Sequence, residues 1–160
     1  MELSAALARM GGFAKRSELV GLGVDAGEIE LAAWYGRRLI RVRKGWYAHP
    51  HEDEDVLRAW RVGGRLTCAS ALAFHAGAVR HPVLHLEVRA SSTRLRDPDV
   101  RRRRLSADSA VVVHWTRHPG PGDRRAVSLE HAERVAAVCG TRGGPVRPQA
   151  AASSSASRIV

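Results

Sequence analysis

Five basic side chains fall within eight positions, at Arg37, Arg38, Arg41, Arg43 and Lys44. Guanidinium and ammonium groups at this density offer charge-assisted hydrogen bonds to phosphate oxygens. Arg41 and Arg43 alternate with Val42, so in an extended strand both face one side. Lys15 and Arg16 open a short helical pattern, at the place where helix-turn-helix proteins touch the nucleic-acid backbone. A second run, Arg101, Arg102, Arg103 and Arg104, offers four more guanidiniums. One reading of it is a phosphate-binding loop. The preferred reading is a solvated surface loop, because four consecutive residues cannot all face one ligand in regular structure.

Other chemistries find less support. Eight histidines are present, and His49-Pro-His51 stands beside Glu52, Asp53 and Asp55. His114 and His118 are four apart, but the first sits in a strand-like stretch and the second precedes Pro119, which is not the helical spacing that places two metal ligands on one face. Cys68 and Cys139 are the two cysteines, 71 residues apart, which excludes a disulfide framework and a Cys-rich zinc site and reads as two free, buried thiols. There is no Gly-x-Ser-x-Gly, no glycine loop ending in Gly-Lys-Ser/Thr and no His-Glu-x-x-His. Neither lysine has an acidic residue two positions before it, so the Asp…Glu-x-Lys shape of restriction-like nucleases cannot form. The expectation is a non-enzymatic chain with no cofactor and no functional metal.

The basic residues must be held by a frame, and the sequence sketches one. Residues 2–10 place Leu3, Ala6, Leu7 and Met10 on one helical face, stopped by Gly11 and Gly12. Residues 16–22 form a second short helix. Asp25 then reads as an N-cap, with Glu28 three residues on completing a capping-box-like pattern, and the third helix runs from about Ala26 to Tyr35. Two β-prone stretches, Leu39 to Val42 and Trp46 to Ala48, flank a Lys44-Gly45 turn. Three helices followed by a tight basic hairpin is the order of a winged helix-turn-helix, in which the third helix approaches the major groove and the hairpin lies along the phosphates. The middle of that third helix bears Glu28 and Glu30 and no basic residue before Arg37, so phosphate contact by the hairpin is the stronger half of the reading. Trp34 and Tyr35 fit either the core or a partner surface.

Beyond HPHEDED (residues 49–55), helices are expected over 55–62 and from Thr67 or Cys68 to about Ala76. LHLEV (84–88) reads as a half-buried strand and VVVHW (111–115) as a second, more continuously apolar one. Ser128 caps a last helix with Leu129, Ala132, Val135, Ala136 and Val138 apolar. The fold class is thus α+β, with a winged helix-turn-helix over residues 1–50, a small mixed helix/strand module over 51–140 and a disordered low-complexity tail over 141–160.

Composition sets the outer bounds. The chain has 160 residues and a formal net charge of +10, which directs attention to an anionic partner. Of the 26 basic residues 24 are Arg, and there are 25 Ala; both have GC-rich codons, so placement must carry more weight than the total. Residues 1–50 contribute +3, residues 51–100 zero and residues 101–160 +7. No apolar run approaches the roughly 18 residues of a membrane-spanning helix, and the N-terminus lacks the basic-then-apolar order of a secretory signal. A cytoplasmic location with no membrane contact is expected.

The stretches GGFAKRSELVGLGVDAGEI, LIRVRKGWYAHP, VLRAWRVGGRLTCASALAFH, LHLEVRASSTRLR and VVVHWTR together resemble actinobacterial members of the AbiEi family, the antitoxins of type IV abortive-infection toxin–antitoxin systems. The resemblance covers roughly residues 3–138. It implies an N-terminal winged helix that binds double-stranded DNA at its own promoter. It also implies a second module that, in some members, neutralises a nucleotidyltransferase-like toxin. Carried over, Lys15, Arg16, Arg37, Arg38, Arg41, Arg43 and Lys44 are the DNA-contacting set. Two departures stand out. Relatives often carry an Arg-rich third helix, where this chain has Glu28 and Glu30. Many continue into a Vsr-like endonuclease fold, whereas here the pattern stops near Cys139, so the chain reads as truncated. The alternatives are a toxin-binding or self-associating module without DNA binding, and a remnant of a nuclease-fold fusion protein.

Overall fold

The computed structural model describes residues 1–141, so the expected disordered tail lies outside the described residues except for Thr141, which ends the last helix. The chain is mixed α+β, with six helices and two three-stranded sheets among those residues. The order is α1 (Leu3–Arg9), β1 (Phe13–Lys15), α2 (Arg16–Gly21), α3 (Ala26–Tyr35), β2 (Ile40–Arg43), β3 (Trp46–Ala48), α4 (Glu54–Val62), β4 (Arg65–Leu66), α5 (Cys68–Ala76), β5 (Leu84–Arg89), β6 (Val111–Thr116) and α6 (Leu129–Thr141).

The helix starts follow from capping chemistry. Asp25 Oδ1 accepts from the backbone N–H groups of Gly27 and Glu28, and Asp53 Oδ1 does the same for Asp55 and Val56, satisfying donors that have no partner inside the helix. The Glu28 carboxylate does not return to Asp25 as a capping box requires; it lies 3.6 Å from Arg38. Ser128 Oγ accepts from the His131 N–H at the start of α6. Two strands escaped the sequence reading, β1 and β4, because three and two residues are too few to show a period.

The first sheet has the order β1-β3-β2, all antiparallel. Strand alternation gives it two apolar faces. Ala14 and Tyr47 join Leu3, Ala6, Leu7, Leu19, Ile29 and Leu39 in a core under α1–α3. Phe13, Val42 and Ala48 join a second core with Val56, Leu57, Ala59 and Val62 of α4 and with the second sheet. Phe13 is fully buried and its ring lies 5.3 Å from that of Trp60, which in turn is 4.3 Å from Trp46. Residues from the first 50 positions and from the rest therefore share one hydrophobic cluster. Two arginines tighten the junction. Arg124 makes a two-pronged ion pair with Glu18 and donates to the Phe13 carbonyl, while Arg125 pairs with Glu52. The Arg124 guanidinium holds the Glu18 carboxyl below the usual carboxylate range, against the opposing effect of burial.

The second sheet has the order β4-β5-β6, with β5 and β6 parallel. Leu84 to Val88 are all buried, so the expectation of a half-buried strand was wrong. Leu84, Leu86 and Val88 enter the core, and the polar residues between them are covered as well. Glu87 pairs with Arg65 at 2.8 Å and accepts from the Gly120 N–H; His85 meets His114. Polar residues on the second face had suggested solvent, but they are buried with partners. At Gly64 a side chain would run into the Glu87 carbonyl, so the turn into β4 requires glycine there. In α6 the apolar positions are only partly used: Ala132 is buried, whereas Leu129 and Val138 are exposed.

Candidate nucleic-acid interface

The β2–β3 hairpin turns at Lys44 and Gly45, and Gly45 adopts φ 76°, in the left-handed region that suits glycine. A bulge shifts the register so that Arg41 opposes Tyr47 and Arg43 opposes Trp46. Val42 goes into the core, and Arg41 and Arg43 are both exposed, as the alternation predicts. Among the described residues, neither they nor Lys44 makes an ion pair with a carboxylate.

These three side chains line a cleft of about 490 Å³. Arg61 of α4 and Arg96, Arg101 and Arg102 of the loop between β5 and β6 line it as well. Seven of its nine lining residues are basic and one, Asp97, is acidic. The residues of the arginine run part company. Arg101 Nη2 donates to the Arg41 carbonyl at 3.3 Å, and Arg102 lines the cleft. Arg103, itself exposed, reaches the buried Asp97 at 2.7 Å, and Arg104 forms a main-chain bridge with Arg96. All four side chains stay exposed, as a solvated surface loop requires, and they do not form a single ligand-facing row.

Asp97 is the post on which this loop is wound. It is almost fully buried, yet both oxygens are used. Oδ1 accepts from the N–H groups of Asp99 and Val100, and Oδ2 accepts from Ser109 Oγ and Arg103. Burial alone raises its pKa; the Ser109 hydroxyl, the Arg103 guanidinium and the two backbone donors outweigh that and hold it far below the usual range. Asp97 is therefore a fixed, compensated anion, and its charge is spent on the loop rather than on the cleft.

The other members of the expected contact set lie elsewhere on the first sheet and its helices. The Arg16 N–H donates to the Gly45 carbonyl at 3.1 Å, which fastens the start of α2 to the hairpin turn. Lys15 opposes Trp46 in the sheet and holds its ammonium 5.3 Å from that ring. Arg16 pairs with Glu30 at 3.3 Å, and Arg38 reaches Glu2 and Glu28 at 3.5 and 3.6 Å. The two glutamates of α3 thus neutralise two of the seven basic residues. These pairs are exposed and worth little, ~0–1 kcal/mol each, so a phosphate can replace the carboxylate. Arg37 is exposed beside them.

No family model and no curated protein sequence matches this chain.

Arg61 and Arg96 were not singled out from the sequence. Neither belongs to a run of adjacent basic residues, and only the packing of α4 and the β5–β6 loop near β2 assembles them with the hairpin. Among the described residues no helix is long and apolar enough to cross a membrane. The fold also gathers Cys68, His85, His114 and Cys139, which the sequence spacing had set apart.

Proposed function

We propose that the protein binds double-stranded DNA through the basic cleft and acts in the cytoplasm as an antitoxin-like autoregulator of its own promoter. Its partner on this reading is a nucleotidyltransferase-like toxin. The observation that carries the DNA-binding half is the convergence of Arg41, Arg43 and Lys44 with Arg61, Arg96, Arg101 and Arg102 on one cleft. Cations clustered in one cleft suit the phosphates of a nucleic-acid strand, with each contact releasing a counterion. The order of three helices and a small sheet ending in a basic hairpin supports the winged-helix reading. With Glu28 and Glu30 on α3, affinity on this account comes from the backbone more than from base edges. Electrophoretic mobility shift on the upstream DNA of the gene, comparing wild type with Arg41→Ala/Arg43→Ala/Lys44→Ala, is the direct test. Equal shifts by the two proteins remove the hairpin from the mechanism.

A second reading rests on a different surface. Leu31, Trp34 and Tyr35 of α3 are 60%, 86% and 69% exposed. Spacings of three and four place them on one side of the helix. Large apolar side chains left in water in this way mark a protein contact, with the toxin or with a second copy of the chain. It is compatible with DNA binding by the cleft.

A further inference from the structure

We propose that Cys68, His85, His114 and Cys139 form a structural zinc site. One ligand atom from each lies within 4.8 Å of every other. The four residues come from four elements, α5, β5, β6 and α6, that are separate in sequence and meet in the fold. Two thiolates and two imidazoles are the donor set that zinc takes in closed, four-coordinate structural sites.

The geometry is specific where it is best fixed. His85 Nδ1 lies 3.3 Å from His114 Nε2. A tetrahedral ion with Zn–N bonds of about 2.0–2.1 Å places two imidazole nitrogens about 3.3–3.4 Å apart. Backbone contacts hold Cys68 against this pair. The Thr67 N–H donates to the His85 carbonyl at 3.1 Å, and the His85 N–H donates to Ser70 Oγ at 2.9 Å. The start of α5 is therefore stitched to β5 on both sides of Cys68. Glu87 is the register partner of His114 in the parallel pair, so His85, Glu87 and His114 share one face of the sheet. α5 and α6 pack against each other, which brings Cys139 to Cys68 from the far end of α6.

A further feature distinguishes this cluster from two buried thiols beside two core histidines. Cys68 has φ 51°, a conformation that non-glycine residues seldom adopt. Such backbone strain collects where a side chain must be aimed. The charges also balance, since two thiolates cancel the divalent ion and the imidazoles bind as neutral ligands. Cys68 and His85 are buried while His114 and Cys139 are partly open, which leaves a route for the ion. With all four positions filled by protein, the ion would clamp the end of α6 to the sheet rather than perform catalysis.

The test uses the whole chain, purified under reducing conditions, equilibrated with Zn²⁺, passed through a desalting column and assayed for metal. One equivalent is expected for wild type and for His49→Ala/His51→Ala, which alters the other histidine pair. Retention should fall to zero in Cys68→Ser and in Cys139→Ser. A wild-type chain that retains no zinc overturns the proposal, as does retention that survives both cysteine substitutions. Should those variants not fold, Co²⁺ loaded into wild type decides the matter. The visible bands of tetrahedral cobalt with thiolate-to-metal charge transfer are expected, and their absence also overturns it.

Discussion

The guanidinium of Arg101 donates to the main-chain carbonyl of Arg41 at 3.3 Å, joining two arginine-bearing segments sixty residues apart. A carbonyl acceptor leaves the charge of Arg101 uncancelled. The contact therefore adds positive charge to the hairpin side of the cleft instead of hiding it. Removing both cleft arginines of the loop should weaken DNA binding without touching the hairpin. For Arg101→Ala/Arg102→Ala, losing charge-assisted contacts is expected to cost roughly 1.5 kcal/mol or more, tenfold or more in Kd. Fluorescence anisotropy with a labelled upstream duplex measures it, and an unchanged Kd would detach the loop from the interface.

Helix α3 gives a second expectation, opposite in kind. Trp34 and Leu31 are exposed, so Trp34→Ala and Leu31→Ala should change folding stability by no more than about 0.5 kcal/mol. If this surface meets a partner, sedimentation velocity will show self-association that is lost in Trp34→Ala, or toxin capture that is lost in the same variant. Wild-type behaviour in both assays returns α3 to the role of a bare solvated face.

The Arg65–Glu87 pair is nearly buried, with side chains 16% and 7% exposed. Breaking such a pair leaves a charge without its counterpart, and Glu87→Ala is expected to cost about 3–5 kcal/mol. Replacing both residues with apolar ones of similar volume should cost much less, since neither charge then remains buried. Urea denaturation of the two variants checks the order; a milder single than double variant would contradict it.

Asp97 sets an acid limit. Its pKa is depressed in the folded chain, so below the unfolded value of 3.8 the unfolded state binds more protons than the folded one. The stability it contributes is complete above that value and is lost as pH falls from there through the lower folded pKa. Asp97→Asn should therefore lower Tm at neutral pH and give a shallower loss of Tm toward about pH 2.5. An acid limb unchanged by the substitution would show that other carboxylates set it.

Much of the frame was legible because its signals are local. Asp25 announces a helix with a single side chain, and the Lys44-Gly45 turn between β-prone stretches announces a hairpin. What was not legible depends on contacts between distant residues. LHLEV reads as half-exposed because His85 and Glu87 are polar, and nothing nearby in the chain shows that His114 and Arg65 will cover them. The arginine run divides into two cleft residues, one buried-acid partner and one main-chain bridge only because Asp97 winds the loop. The convergence of Cys68 with Cys139 is likewise invisible to spacing rules, since those rules describe ligands carried on one helix or one knuckle.

The salt dependence of DNA affinity tests the phosphate-cleft account most directly. Log Kd against log salt is measured between about 50 and 200 mM for wild type and for Arg41→Ala/Arg43→Ala/Lys44→Ala. Three lost phosphate contacts should reduce the magnitude of the slope by about 3 and weaken binding alike on specific and unrelated duplexes. Parallel lines for the two proteins, or no binding by wild type at low salt, would contradict it.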